Sequence, residues 1–465
     1  MLLRVVRSFL PHQQPWITRQ SYAHELVTAM TLPLAISLAE GGVIGILAKK
    51  AFNVSPFLFA TIMASPAFAN VTSFFWARLA RGRRKVRFIA ALQLLTLASI
   101  ALIAALPTDG AGPVLLTAMV LATRCLVSGI VTLRSTVWRH NYPRRIRARV
   151  TGRLALVTSL VIAIAPLLAY AVVDHWPSAF RVVYPVAALV ASIGAVAFAR
   201  VRLRRERELL RYEQDGLESA FGPTDENGFE GQPGVLSVLR HDHFFRRYLT
   251  LQFCLGTSMM MGEAVLVYLI VQMTAELRHD YLISILLTTA IPMLVATSTL
   301  WMWARHLDRV HVAGYRARHS AVCSLAHLIT WVGLMRGSLW IIAMGRVLIG
   351  VTRGGGMLAW TLGHNDFADR RLVALYMGIH VTLTGVRGAI APFLGMVLLR
   401  GWEGAPMGWL GVPAFDGIGH HVFLVAVVVS ASTTVGFVAL NRAVEGGKSE
   451  YRNPKSDGFG SGDSR

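Results

Sequence analysis

The chain has 465 residues, 54% of them hydrophobic and only 15% charged, with a positive mean hydropathy. A water-soluble fold of this length could not hide so much apolar surface, which excludes an ordinary aqueous enzyme and points to lipid as the solvent. The formal charge of +21 would suggest nucleic acid in a soluble protein, but the basic residues lie in loops between apolar runs, so anionic lipid is the expected partner instead.

The opening segment, MLLRVVRSFLPHQQPWITRQ, has a short apolar run broken by Arg4 and Arg7, which fits an interfacial segment better than a cleaved signal. Six apolar stretches follow at 22–48, 55–78, 87–107, 113–137, 152–174 and 178–199. A span needs about 20 such residues to cross a hydrocarbon core of about 30 Å at 1.5 Å per residue. The pattern then stops at RVRLRRERELLRYEQDGLESAFGPTDENGFEGQPG, a charged helix leading into a linker punctuated by Gly and Pro. Six more stretches occupy 248–275, 281–304, 318–335, 338–360, 372–399 and 419–441, and the tail has the composition of disorder. The expected organisation is a six-helix bundle over 1–200, a central cytoplasmic loop over 201–247, a second bundle over 248–441 and a disordered cytoplasmic tail over 442–465.

Alternate loops carry most of the positive charge: Arg78, Arg81, Arg83, Arg84, Lys85 and Arg87 in one, Arg139, Arg144, Arg145, Arg147 and Arg149 in another, Arg305, Arg309, Arg316 and Arg318 in a third. This asymmetry places those loops and both termini in the cytoplasm of an inner (plasma) membrane. Cys125, Cys254 and Cys323 all fall inside apolar spans, with neither a disulfide framework nor a metal-ligand spacing.

The two halves repeat each other. Glu40 corresponds to Glu263 at an offset of 223, Trp76 to Trp303 at 227, Arg124 to Arg346 and Trp138 to Trp360 at 222, His140 to His364 at 224, and Pro166 to Pro392 at 226. With six spans in each half, the copies share one orientation and form parallel repeats. The fold class expected is therefore an all-α membrane protein of twelve transmembrane helices in two parallel-repeat six-helix bundles.

That plan resembles the major facilitator superfamily over nearly the whole chain. The family's signature loop is partly present: Gly82-Arg83-Arg84-Lys85 matches its end, the first copy lacks the acid at its start, and ARHLDRVHVAGYR keeps Asp308 and Arg309. The resemblance implies gate-latching roles for Arg78, Arg84, Asp308 and Arg309. It also implies a central cavity lined by spans one, four, seven and ten, which carry Glu40, Arg124, Glu263 and Arg346. Arg124 with Gly129, one residue longer in spacing, and more cleanly Arg346 with Gly350 look like the family's Arg-x-x-x-Gly pattern.

A lone charge at the bilayer centre costs on the order of 2.5 to 3.5 kcal/mol, so these residues need partners or a wet cavity. Helical rise puts Glu40 about 22 Å above the inner end of its span and Arg124 about 17 Å below the outer end, within reach of each other for a long side chain. The pairs are candidates for substrate or proton handling, with a permanent structural ion pair as the alternative. His380 and Arg387 lie seven apart on one face of span eleven. Arg387 suits an anionic substrate group, whereas His380 is also explained by helix packing. Arg134 and Arg353 lie near span ends and could snorkel. His364, Asn365, Asp366, Asp369 and Arg370 suggest a gate or helix-cap cluster. Gly354-Gly355-Gly356 has no strand before it and no lysine after it, which leaves close helix packing rather than a phosphate loop.

The function expected is a monomeric secondary active transporter of a small anionic solute, working by alternating access with protons as a candidate coupling ion, and with no cofactor, metal or nucleic acid. The alternatives are a transport-inactive sensor or scaffold, and a membrane-embedded lipid-modifying enzyme.

Overall fold

A computed structural model describes residues 10–221, 235–368, 373–402 and 414–451. The first half contains α1 (Trp16–Ile36), α2 (Gly41–Lys50), α3 (Pro56–Val71), α4 (Ser73–Leu79), α5 (Lys85–Leu102), α6 (Gly112–Asn141), α7 (Arg144–His175) and α8 (Phe180–Ala199). Between the halves lie α9 (Glu206–Phe221) and α10 (Val235–His241). The second half contains α11 (His243–Thr274), α12 (Asp280–Ile285), α13 (Ile291–Leu307), α14 (Val312–Met335), α15 (Leu339–Leu362), α16 (Val373–Arg400) and α17 (Val422–Tyr451).

Among the described residues, nine helical segments are long and apolar enough to cross a membrane, and the bent pairs α1/α2 and α3/α4 raise that to eleven. The remaining expected span is α14. It packs along α15 and α17 like its neighbours, but Arg316, Arg318, His319 and His327 dilute its apolar character. The sole β pairing described is an isolated bridge between Trp402 and Phe415.

Packing repeats as the sequence does. The Trp76 indole donates to the Cys125 carbonyl at 2.8 Å, and the Trp303 indole donates to the Val351 carbonyl at 2.8 Å. A Cβ on Gly129 would meet the Trp76 ring at 2.9 Å, and one on Gly355 would meet the Trp303 ring at 2.8 Å. The structural counterpart of Gly129 is thus Gly355 rather than Gly350, which instead lies against Val295 and the Pro292 carbonyl. Only glycine lets each indole lie flat on the facing helix.

The described hydrogen bonds and the apolar cluster that join the halves gather at one end. At the far end, one apolar cluster runs through both halves, from Leu32, Ile46 and Phe59 to Val267, Ile285 and Leu399. Every hydrogen bond described between the halves is here. Lys50 Nζ meets Asp280 Oδ2 at 2.5 Å, and the buried Asp174 carboxylate accepts the backbone N–H groups of Tyr281 at 2.9 Å and Leu282 at 3.3 Å and contacts His279 Nδ1 at 2.6 Å. At the near end, where α1 and α9 begin, the apolar clusters belong to one half each: Val86 to Leu203 and Tyr22 to Leu154 in the first, Val238 to Leu440 in the second.

Helix α9 docks on the first half. Its Glu213 accepts from Gly82 N at 2.9 Å and from Lys85 Nζ at 2.5 Å, while Lys85, buried, also donates to the Ala80 carbonyl at 2.6 Å. An acid from the linker thus contacts the end of the first signature copy.

Valine at Gly129 or Gly355 should push the paired indole off its helix and cost about 1 to 3 kcal/mol, as overpacking does. Thermal unfolding of the purified variants checks this, and an unchanged midpoint in both would contradict the close approach.

Candidate functional site

The site is built from charges on α11, α14, α15 and α16. Glu263 on α11 and Arg346 on α15 form a bidentate pair, Nη1 to Oε2 at 3.0 Å and Nη2 to Oε1 at 3.0 Å. Arg346 also donates from Nε to the Leu287 carbonyl at 2.9 Å and from Nη2 to the Thr288 carbonyl at 3.0 Å. Local sequence explains why those carbonyls are free. Residues Leu286–Ala290 form a π turn in which Ile291 N–H reaches back to the Leu286 carbonyl, leaving that of Leu287. Pro292 has no N–H to give Thr288 four residues earlier. Arg353, two turns after Arg346 on α15, adds a third cationic contact, Nη2 to Glu263 Oε1 at 2.9 Å.

The equivalent set in the first half is looser. Arg124 Nη2 reaches Glu40 Oε1 at 3.3 Å through a single contact, and the Glu40 side chain is 40% exposed against 20% for Glu263. Sequence periodicity predicts a continuous helix through Glu40. Instead Glu40 is extended (φ −117°, ψ 134°), Gly41 takes φ +50°, and α2 leaves at 42° to the preceding helix. Glycine reaches that left-handed φ without the Cβ clash that other residues suffer. Just past the break, a Cβ on Gly42 would lie 3.1 Å from Thr288 Oγ1, so the broken span of one half abuts the π turn that holds Arg346 in the other.

Glu263 forms part of the wall of a cavity of about 420 Å³, together with Arg316, His319, Arg353 and Arg387. Glu40 is not part of this wall. Arg387 Nη1 donates to the Gln252 carbonyl at 2.7 Å, and its guanidinium lies over Gly256, where a Cβ would come within 1.9 Å of Nη1. Among the described residues, Arg387 Nε, and Nε and Nη2 of Arg316, have no hydrogen-bond partner, although both side chains are buried. His319 Nε2 contacts the Thr352 carbonyl at 2.9 Å, which requires the proton on Nε2 and leaves Nδ1 unpartnered. Among the described residues, four guanidiniums therefore share this region with one carboxylate, and two of them meet no acid.

The family model described as Major Facilitator Superfamily matches residues 28–392. The chain belongs to that superfamily. Solved structures agree: a nucleoside transporter, NupG, at a TM-score of 0.64 and 11% identity, covering 92% of this chain and 99% of that one. A D-xylose-proton symporter gives 0.63 at 12% identity, with coverage of 90% and 96%. A POT family transporter in complex with a thioalcohol-conjugated peptide gives 0.63 at 12%, with 91% and 96%. At such identities the likeness is one of fold. No curated protein matches the chain. This major facilitator is an integral membrane protein and a transporter rather than an enzyme.

Other expected site residues fall into separate places. His380 lies behind the cavity wall, its ring 6.1 Å from that of Trp360, with Nε2 unpartnered. Arg78, Arg84, Asp308 and Arg309 are exposed at the near end, and none forms a salt bridge among the described residues. Asp366 Oδ2 accepts from Val312 N at 2.8 Å and so caps α14. His364 is buried, and burial lowers its pKa below the usual imidazole range. The Asn365 side chain, Asp369 and Arg370 lie outside the described residues.

Three features escaped the sequence reading. Arg134 does not snorkel: it donates to the fully buried Glu25 from Nη2 at 3.2 Å, and Trp138 and Tyr142 add contacts at 2.6 and 2.7 Å. Arg134, Trp138 and Tyr142, spaced by four, were the available signal. Arg353 likewise pairs with Glu263 instead of reaching for the surface. Arg316 reads as a loop charge until α14 is seen to begin at Val312.

Replacing Arg346 with glutamine should remove a buried clamp and destabilise by about 3 to 5 kcal/mol, whereas Arg124→Gln, losing one long and partly exposed contact, should cost about 1 kcal/mol or less. Thermal midpoints of the two variants in detergent measure this, and equal losses would contradict the asymmetry.

Proposed function

We propose that this chain is a secondary active transporter of a small anionic solute, which binds in the second-half cavity and crosses by alternating access. The observation that carries this reading is the pair Arg316 and Arg387, buried, in the cavity wall, and without a carboxylate partner among the described residues. Burying a guanidinium without an acid costs several kcal/mol, and an oxyanion that accepts its N–H groups offsets that cost. The nucleoside, sugar and peptide transporters named above share the fold and carry no weight for the solute.

The positive loops favour a cytoplasmic near end, and closure at the far end then corresponds to an inward-facing state. In that state Glu263 holds three contacts from two arginines, while Glu40 holds one. Glu40 is thus the acid with room to exchange a proton, and rotation of the halves about the Gly42–Thr288 contact would change its surroundings.

Uptake of labelled organic anions into vesicles containing the purified protein tests the solute class. Arg387→Gln and Arg316→Gln should each lower uptake about tenfold or more, the factor expected for losing one charge-assisted hydrogen bond of about 1.5 to 3 kcal/mol. Wild-type rates in both, or transport only of cations and neutral solutes, would refute the proposal. Glu40→Gln should remove acceleration by an imposed proton gradient and leave solute exchange across the membrane intact. Unaltered gradient dependence in Glu40→Gln and in Glu263→Gln would eliminate proton coupling through either acid.

A further inference from the structure

We propose that the solute is an amphiphilic organic anion, with one carboxylate or sulfonate head joined to an apolar body. This rests on the anion-transport reading above and narrows it. The cavity wall is divided chemically. One part is Arg316, Arg387 and His319, beside the Glu263–Arg353 ion pair; the other is Leu255, Met259, Met260, Ile349, Met357 and Trp360.

The cationic part suits a planar two-oxygen head. The Nε and Nη2 atoms of Arg316 are the side-on fork of a guanidinium, whose parallel N–H bonds match the two oxygens of a carboxylate. Neither has an acceptor among the described residues. Both atoms are buried, on a side chain that lines the cavity. Arg387 adds a second charge but has spent Nη1 on the Gln252 carbonyl, so it assists the same head rather than creating a separate anion subsite.

The other part gives little to a polyhydroxylated or multiply charged solute. Among the uncharged polar side chains of the wall, Thr384 already donates to the His380 carbonyl at 2.9 Å and accepts from the Trp360 indole at 3.3 Å, leaving Gln252. With its N–H engaged, Trp360 offers the solute a ring face. Three methionines, unbranched and polarisable, adapt to bodies of different shape and make the wall tolerant of variety within the class. A volume of about 420 Å³ falls in the range of small-molecule sites.

The test is binding to the full-length protein in lipid nanodiscs, measured by calorimetry with a series of straight-chain carboxylates, aryl carboxylates, the matching alcohols, and short hydrophilic anions such as citrate and inorganic phosphate. Carboxylates should bind at least about tenfold more tightly than alcohols of equal length. Affinity should rise about fourfold per added methylene until the cavity is full. Arg316→Gln should abolish the preference for the acid over the alcohol while keeping the dependence on chain length. Met260→Ala with Trp360→Leu should flatten the chain-length dependence and keep the preference for acid. The wild-type series needs no variant to fold and stands alone as a test. Binding of citrate or phosphate that depends on Arg316 and Arg387, with no gain from added methylenes, would overturn the amphiphile class and leave anion transport standing. If no anion of either kind binds in an arginine-dependent way, both proposals fall.

Discussion

A guanidinium or carboxylate inside a hydrocarbon core must find an opposite charge, a spare carbonyl or water, because nothing else there can replace its hydration. The interior of this protein is arranged around that demand. It is met in three grades. Glu25 and Glu263 are enclosed by donors from neighbouring helices. Glu40 and Arg124 share one long contact. Arg316 and Arg387 have no acid among the described residues. The degree of neutralisation, more than position along the chain, separates groups that brace the bundles from groups with binding capacity left over.

The backbone takes part in the bracing. Arg346 is held by two main-chain carbonyls as much as by Glu263, and those carbonyls exist because a π turn and a proline withdraw the N–H groups that would normally saturate them. The first half has no such arrangement at Arg124. Two copies of one sequence plan therefore differ in rigidity at equivalent points, and they touch where Gly42 meets Thr288.

The halves, their repeat and the opposition of Glu40 to Arg124 and of Glu263 to Arg346 were legible because isolated charges stand out against apolar runs and recur at a near-constant offset. The break at Glu40 was less so. Gly41-Gly42 in an apolar context reads as close packing, and periodicity cannot distinguish that from a helix that stops and restarts. Arg316 was hidden by a boundary error of a few residues, since α14 starts at Val312 and the apolar run begins only at Arg318. Its neighbour His319 on the same helix face was the missed hint. The role of Glu213 had no local signal, because its partners Gly82 and Lys85 lie far away in sequence and only the docking of α9 brings them together.

The contact of Asp174 with the opposite half has an uneven genetic consequence. On one side the recognition element is a carboxylate; on the other it includes main-chain N–H groups at Tyr281 and Leu282, which nearly every residue type supplies. Drift at 281 and 282 leaves those two donors untouched, proline excepted, whereas one codon change at 174 deletes their acceptor. Tolerance to substitution across this seam is therefore one-sided.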